Sequence, residues 1–339
     1  MLTFRREETA MWNEDLKAQF QSLAPGRPDG ELSRRDFVRT ALGVGFAAAA
    51  GPVIAQTVVQ TSVDGLLAGE VRIESGGQKI PVYRAQPKGK TDLPVVLVVS
   101  EIFGVHEYIA DVARRFAHQG YLALAPDLFV RQGDPMAYGS IAEVMSKVIS
   151  KVPDVQVMQD LDACRNWALA NGGKAGHVGI TGFCWGGRMV WLYCAHAPVQ
   201  AGVAWYGRLV GTPSDLAPKN PVDIVKELKA PVLGLYGGKD QGITQESVEQ
   251  MRKALADGSA AAKASEIVVY PDAGHGFHAD YRPSYNAKDA QDGWNRALAW
   301  LRQHQVVAVA AADEPPQDGM CQTERGFPQT FPVDKLLSG

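Results

Sequence analysis

The chain predicts an α/β fold: a mostly parallel central sheet flanked by helices on both faces. Three observations point to it. Apolar runs of strand length alternate with helical patterns along residues 63–304. Most of those runs are apolar throughout, as strands covered on both faces are. The residues with reactive side chains follow such runs, where open parallel sheets gather their sites.

The elements follow in order. "EVRIES" (70–75) and "IPVYRAQP" (80–87) are strand-like, with a Gly76-Gly77 turn between them. "LPVVLVVSEIFG" (93–104) is an apolar strand running into a loop. Residues 107–119 place Ile109, Val112, Ala113 and Phe116 on one helical face. "YLALAPDLF" is a buried strand stopped by Pro126. Residues 140–151 and 154–170 are helical, the second with Val157, Leu161, Cys164, Trp167 and Ala168 in a stripe. "HVGITGFC" (177–184) is a strand and 185–197 a helix. Three further strands are "AGVAWYG", "PVLGLYGG" and "ASEIVVYP". They are accompanied by helices at 244–256 and 286–304, the latter carrying Trp294, Leu298 and Leu301. The tail, 305–339, loses periodicity, is rich in Pro, Gln and Asp, and reads as an irregular extension.

A chain of 339 residues with 46% hydrophobic content can bury a large core. A net charge of -3 with no long basic run argues against nucleic acid as a partner. Four scattered cysteines with no C-x-x-C pair argue against a disulfide framework or a zinc site. Residues 1–55 stand apart. "SRRDFV" carries Arg34 and Arg35, and an uncharged Ala/Gly-rich stretch then leads to Val53-Ile54-Ala55. The pattern resembles a twin-arginine export signal, read by export machinery through Arg34 and Arg35 and cleaved after Ala55. The stretch is short of the roughly 20 residues of a spanning helix, so no stable membrane insertion is expected once it is removed. The 32 residues before Ser33 are long for such a signal, and Met11 is an alternative start to Met1.

The chemistry centres on "VGITGFCWGGRMV" (178–190). A strand leads into Gly182-Phe183-Cys184-Trp185-Gly186, the outline of a G-x-S-x-G nucleophile elbow with cysteine in the serine's place. A buried cysteine is ordinarily an inert apolar residue. Here small neighbours permit the sharp turn, and a helix beginning at Trp185 points its first amides at the sulfur, favouring a thiolate and supplying one oxyanion donor. A nucleophile also needs a base, and the base needs an orienting group. His275 in "PDAGHGFH" and Asp240 in "YGGKDQG" each follow a strand. Alone, such an aspartate is ordinarily a turn residue and such a histidine a solvated one. The chain order nucleophile, acid, histidine is that of α/β-hydrolases and lends both weight.

Together "SEIFGV", "YLALAPDLF", "GFCWGG", "YGGKD" and "DAGHGF" resemble the dienelactone hydrolase (carboxymethylenebutenolidase) family over roughly residues 63–304. The resemblance implies an α/β-hydrolase fold and a hydrolase that opens a lactone or small ester through a thioester on Cys184, with His275 as base and Asp240 as its orienter. It implies that Glu101 interacts with the resting thiol, that the backbone N–H groups of Ile102 and Trp185 form the oxyanion hole, and that no cofactor is needed. His275 and His278 lack a third partner for a metal. Arg208, Tyr206 and Phe103 are candidates for contacts to substrate. The family's carboxylate-binding arginines are not matched: 139–160 holds Lys147 and Lys151 and no arginine, and Arg282 stands a little beyond the place expected after His275. The alternatives are a broad carboxylesterase or thioesterase, a non-catalytic ligand-binding protein, or a redox-sensing thiol. Export with cleavage after Ala55 predicts a secreted form whose intact mass begins at Gln56; a mass that begins at Met1 overturns it.

Overall fold

The computed structural model describes residues 58–307. The signal-like segment through Ala55 lies outside them, as does the tail beyond residue 307. Eight strands form one sheet: β1 (Leu66–Ser75), β2 (Gln78–Pro87), β3 (Leu93–Val99), β4 (Leu122–Pro126), β5 (Gly173–Phe183), β6 (Ala201–Trp205), β7 (Val232–Gly237) and β8 (Glu266–Tyr270). Their spatial order is β1-β2-β4-β3-β5-β6-β7-β8. β1 and β2 form a hairpin, and β2 lies antiparallel to β4. From β4 to β8 all neighbours are parallel. This is the mostly parallel sheet the apolar runs predict, and it is an α/β-hydrolase fold. Gly76 and Gly77 both have positive φ (56° and 76°), as a two-residue hairpin turn matched to strand twist requires.

The helices are α1 (Glu107–His118), α2 (Ile141–Lys147), α3 (Asp154–Ala170), α4 (Trp185–His196), α5 (Gln245–Ala256), α6 (Ala260–Lys263) and α7 (Ala287–Gln303). Every residue of β3, β4, β6 and β7 is buried. That is why these strands read as unbroken apolar runs with no alternation. β8 is the edge strand and is half exposed. The chain runs from β3 out to β4, then returns past β3 to β5 and continues the other way. The order therefore reverses between β3 and β5, and a crevice opens there at the carboxyl ends of the strands. Glu101 and Ile102 follow β3 and Cys184 follows β5, so both sides of the reversal carry candidate residues.

Two boundaries differ from the sequence reading. Val58–Ser62 precede the expected start of the domain, yet the Thr61 amide donates to Asp111 Oδ1 at 2.6 Å and Arg114 Nε donates to the Thr61 carbonyl. At the other end, Val306 is fully buried and its carbonyl accepts from the Tyr121 hydroxyl at 2.8 Å. Both segments are held by polar backbone contacts, which leave no mark on hydrophobic periodicity.

The tightest joint lies between α4 and the loop after β6. A Cβ on Gly207 would stand 2.3 Å from the Gly187 carbonyl carbon and 2.4 Å from the Arg188 nitrogen. Both are backbone atoms, so neither can swing away. Gly207→Ala should therefore lower Tm by about 5–10 °C, the equivalent of about 2–3 kcal/mol in a domain of this size. Gly274→Ala, where nothing lies within 4 Å of the added carbon, is the matched control and should leave Tm unchanged. Equal melting curves for the two variants would refute the close-packing argument.

Candidate active site

Cys184 is the N-cap of α4 and has φ 54° and ψ −115°. A positive φ is costly for a residue with a Cβ and persists only where the surroundings impose it. Here they do. The Cys184 amide donates to the Trp205 carbonyl at 3.0 Å. A Cβ on Gly182 would lie 2.4 Å from the Gly186 oxygen, and one on Gly186 would lie 2.4 Å from the Val99 oxygen. The first turn of α4 is thus pressed onto the ends of β3 and β5, and the chain can reverse between them only through a strained residue. The thiol sits at that apex, 9% exposed. The same compression brings the start of α4 against the loop after β3. The Ile102 and Trp185 N–H groups have no acceptor among the described backbone hydrogen bonds. That leaves two donors for an oxyanion.

Asp240 and His275 follow β7 and β8 and meet: His275 Nδ1 lies 2.7 Å from Asp240 Oδ2. The other carboxylate oxygen accepts from the Gly242 and Ile243 amides at 2.8 and 3.0 Å, which fixes the plane of the group. A carboxylate only accepts, so Nδ1 carries a hydrogen and Nε2 is left to work as the base. Nε2 is buried without a hydrogen-bond partner. Burial alone would lower the ring's proton affinity, but Asp240 and then Cys184 outweigh it, and the His275 pKa lies well above its usual value.

Glu101, just after β3, is fully buried. Its Oε2 accepts from the Tyr281 hydroxyl at 2.5 Å and pairs with Arg282 Nη2 at 3.0 Å, with His106 Nε2 at 3.8 Å. Burial pushes the Glu101 pKa up, but Arg282 and His106 push harder the other way, and it falls to about 2. The carboxylate is therefore ionised. Its Oε1 has no hydrogen-bond partner, and none of the described hydrogen bonds joins it to Cys184. Arg282 is itself buried, donates to the Tyr281 hydroxyl at 3.0 Å, and lies 5.4 Å from the Phe103 ring centroid. Phe103 is 1% exposed, packed among these groups. Tyr281 and His106 were not among the residues singled out from sequence. The only signal for Tyr281 is its place six residues after His275, in the same loop.

Tyr206 is fully buried with φ 38°, and its ring stands edge-on to His275 with centroids 5.2 Å apart. Arg208 is solvent-exposed, with its guanidinium against Gly211. Crowding and the neighbouring Arg188 lower its pKa, and Cys184 acts in the opposite direction. It forms no ion pair among the described residues. Arg188 is occupied, with both terminal nitrogens on Asp154 at 2.7 Å. Lys147 pairs with Glu143 on the surface. His275 and His278 have separate partners, since His278 Nδ1 lies 2.6 Å from the Tyr108 hydroxyl.

The Glu101 ion pair has a pH signature. A carboxyl whose pKa is lowered on folding adds stability above its unfolded value of 4.5, and that stability is lost as pH falls through about 2. Glu101→Gln should flatten the acid limb of urea-denaturation stability between pH 5 and 2. It should also cost about 3–5 kcal/mol at neutral pH, because the buried Arg282 guanidinium loses the carboxylate charge opposite it. A wild-type acid slope in the variant would show that other carboxylates carry it.

Comparison with known proteins agrees with this geometry. The family model of the dienelactone hydrolase family matches residues 80–305. A Methylorubrum extorquens protein with the provisional name carboxymethylenebutenolidase is 57% identical over 278 residues, covering 81% of this chain and 94% of its own. An Escherichia coli K12 protein of the same provisional name is 55% identical over 262 residues, 77% of this chain and 95% of its own. A crystal structure from Klebsiella pneumoniae, provisionally named a dienelactone hydrolase, superposes with a TM-score of 0.68 at 55% identity, covering 70% of this chain and 99% of that one. With the fold, the elbow and the full-length relatives in agreement, the chain belongs to the dienelactone hydrolase family and is a carboxylic ester hydrolase of the carboxymethylenebutenolidase kind.

Proposed function

We propose that the protein opens a lactone or small ester through a thioester on Cys184, with His275 as general base and acid and Asp240 as its orienter. The observation that carries this is the convergence at the carboxyl ends of the strands of a strained cysteine, a histidine whose Nε2 has no geometric hydrogen-bond partner, and a carboxylate 2.7 Å from that histidine's other nitrogen. His275 takes the thiol proton and the sulfur attacks the carbonyl carbon. The carbonyl π pair moves to oxygen, where the Ile102 and Trp185 amides receive the charge. The intermediate collapses, the C–O bond breaks, and His275 returns its proton to the leaving oxygen. Water, deprotonated by His275, then cleaves the thioester by the same route. Glu101, ionised beside the thiol with one free oxygen, is suited to accept from the resting S–H.

The substrate reading rests on the arginines. Arg282 is committed to Glu101 and Arg188 to Asp154, whereas Arg208 is exposed and unpaired within electrostatic reach of Cys184. It is the cation available to an anionic group on the substrate. A broad carboxylesterase is the second reading, favoured by the absence of an arginine from α2. Export by way of Arg34 and Arg35 remains part of the proposal and rests on the sequence.

The test is hydrolysis of a dienelactone, an anionic aryl ester and its neutral isostere by wild type, Cys184→Ala and Arg208→Gln. Cys184→Ala should lose at least about 10³-fold in kcat on all three. Arg208→Gln should raise KM on the anionic substrates alone. Full activity in Cys184→Ala sinks the mechanism. Equal effects of Arg208→Gln on charged and neutral esters leave the broad esterase standing.

A further inference from the structure

Tyr206 carries two independent anomalies. Its φ of 38° is outside the comfortable range for a bulky residue. Its hydroxyl is buried without a hydrogen-bond partner, in a protein class where buried hydroxyls are nearly always satisfied. The backbone explains how the residue is held there. Its amide donates to the Leu235 carbonyl at 2.8 Å, and the next residue, Gly207, is wedged against Gly187 of α4. Those constraints fix where the ring points. The Tyr108 hydroxyl, engaged with His278 Nδ1 at 2.6 Å, lies on the acceptor side of the Tyr206 oxygen and lowers its pKa, and no acceptor for the Tyr206 hydrogen stands among the described hydrogen bonds. The charges felt by the Tyr206 hydroxyl are those of the site: Glu101, Arg282 and Cys184.

We propose that Tyr206 is a catalytic residue whose hydroxyl donates a hydrogen bond to the leaving oxygen of the substrate as the C–O bond breaks. The sheet order decides which oxygen it serves. Ile102 follows β3, on one side of Cys184, and Tyr206 follows β6, on the other. The amides hold the carbonyl oxygen from the β3 side and the start of α4. Tyr206 stands on the side of His275, against which its ring packs at 5.2 Å. The electron pair of the C–O bond goes to the leaving oxygen, the proton comes from the His275 imidazolium, and Tyr206 keeps its own. Burial and the Glu101 charge hold that phenol protonated, with its pKa well above the usual value, so it serves as a donor and not as a base.

The inference rests on the Cys184 thioester reading, and one experiment separates the two. Tyr206→Phe removes the hydroxyl and keeps the ring. kcat/KM is measured for an alkyl ester, whose leaving oxygen needs help, and for the 4-nitrophenyl ester of the same acid, whose leaving oxygen does not; Tm is measured alongside. The alkyl ester should lose on the order of 10²-fold, the 4-nitrophenyl ester less than about 3-fold, and Tm should hold or rise, since an unpartnered hydroxyl leaves the core. Tyr121→Phe is the contrast, because that hydroxyl donates to Val306 O; it should lower Tm and leave both rates alone. Wild-type rates in Tyr206→Phe, equal losses on the two esters, or a fall in Tm or failure to fold would each overturn the proposal. Cys184→Ala, measured beside it, abolishes both rates if the thioester reading holds. Activity there condemns that reading whatever Tyr206→Phe does.

Discussion

The structure turns on one close approach. The first turn of α4 lies against the carbonyl ends of β3, β5 and β6 at distances that no side chain on Gly182, Gly186, Gly187 or Gly207 would permit. That contact forces Cys184 into positive φ and exposes its sulfur at the apex of the reversal. It also sets the distance from the start of α4 to the loop after β3, and so brings two backbone donors to one place. By pinning Gly207 it fixes the residue before it, Tyr206. Cys184, the Ile102 and Trp185 amides and Tyr206 are positioned by the same packing event, and none of them is adjustable alone.

Electrostatics completes what packing begins. A buried carboxylate beside a nucleophile would raise its own pKa and protonate unless a cation held it. Arg282 does so at 3.0 Å, with Tyr281 on the same oxygen. The arginine is thereby removed from the solvent-facing surface. Arg282 stands a little beyond the place where the family resemblance expects an arginine after His275, and its ion pair with Glu101 keeps that carboxylate charged. The exposed cation near the thiol comes instead from the loop after β6, as Arg208. Which arginine faces solvent is decided by a partner 181 positions away in the chain, and a sequence pattern cannot carry that.

The same distinction explains what the sequence could and could not reveal. The parallel sheet was legible because β3, β4, β6 and β7 are buried on both faces and carry nothing but apolar or small residues. The elbow was legible because close backbone approach demands glycine at fixed offsets from Cys184. Asp240 and His275 could be picked out because each lies just past an apolar strand. Tyr281 reaches Glu101 across 180 positions of chain and His106 across only five, and neither sits in a pattern that distinguishes it from an ordinary core aromatic. Phe103, a substrate-contact candidate from its neighbours, lies packed against Arg282 at 1% exposure. The docking of Val58–Ser62 onto α1 uses backbone amides, which any sequence possesses.

Glu101 Oε1, Tyr206 Oη and His275 Nε2 are among the buried polar atoms with no hydrogen-bond partner in the described residues. Each leaves the resting protein less stable than an apolar or satisfied replacement would, by about 1–3 kcal/mol for a neutral group. One is an acceptor, one a donor and one a nitrogen able to act as either. An inert cysteine in a core has neighbours that satisfy one another; Cys164 and Cys194 are fully buried with thiols pushed far up by burial. Cys184 differs from both in lying near His275, whose Nδ1 is held by Asp240 at 2.7 Å while its Nε2 has no geometric hydrogen-bond partner. The strain in its backbone and the unmet hydrogen bonds near it come from the same packing of α4 on the sheet, and a fold keeps such costs where its surroundings over-determine them.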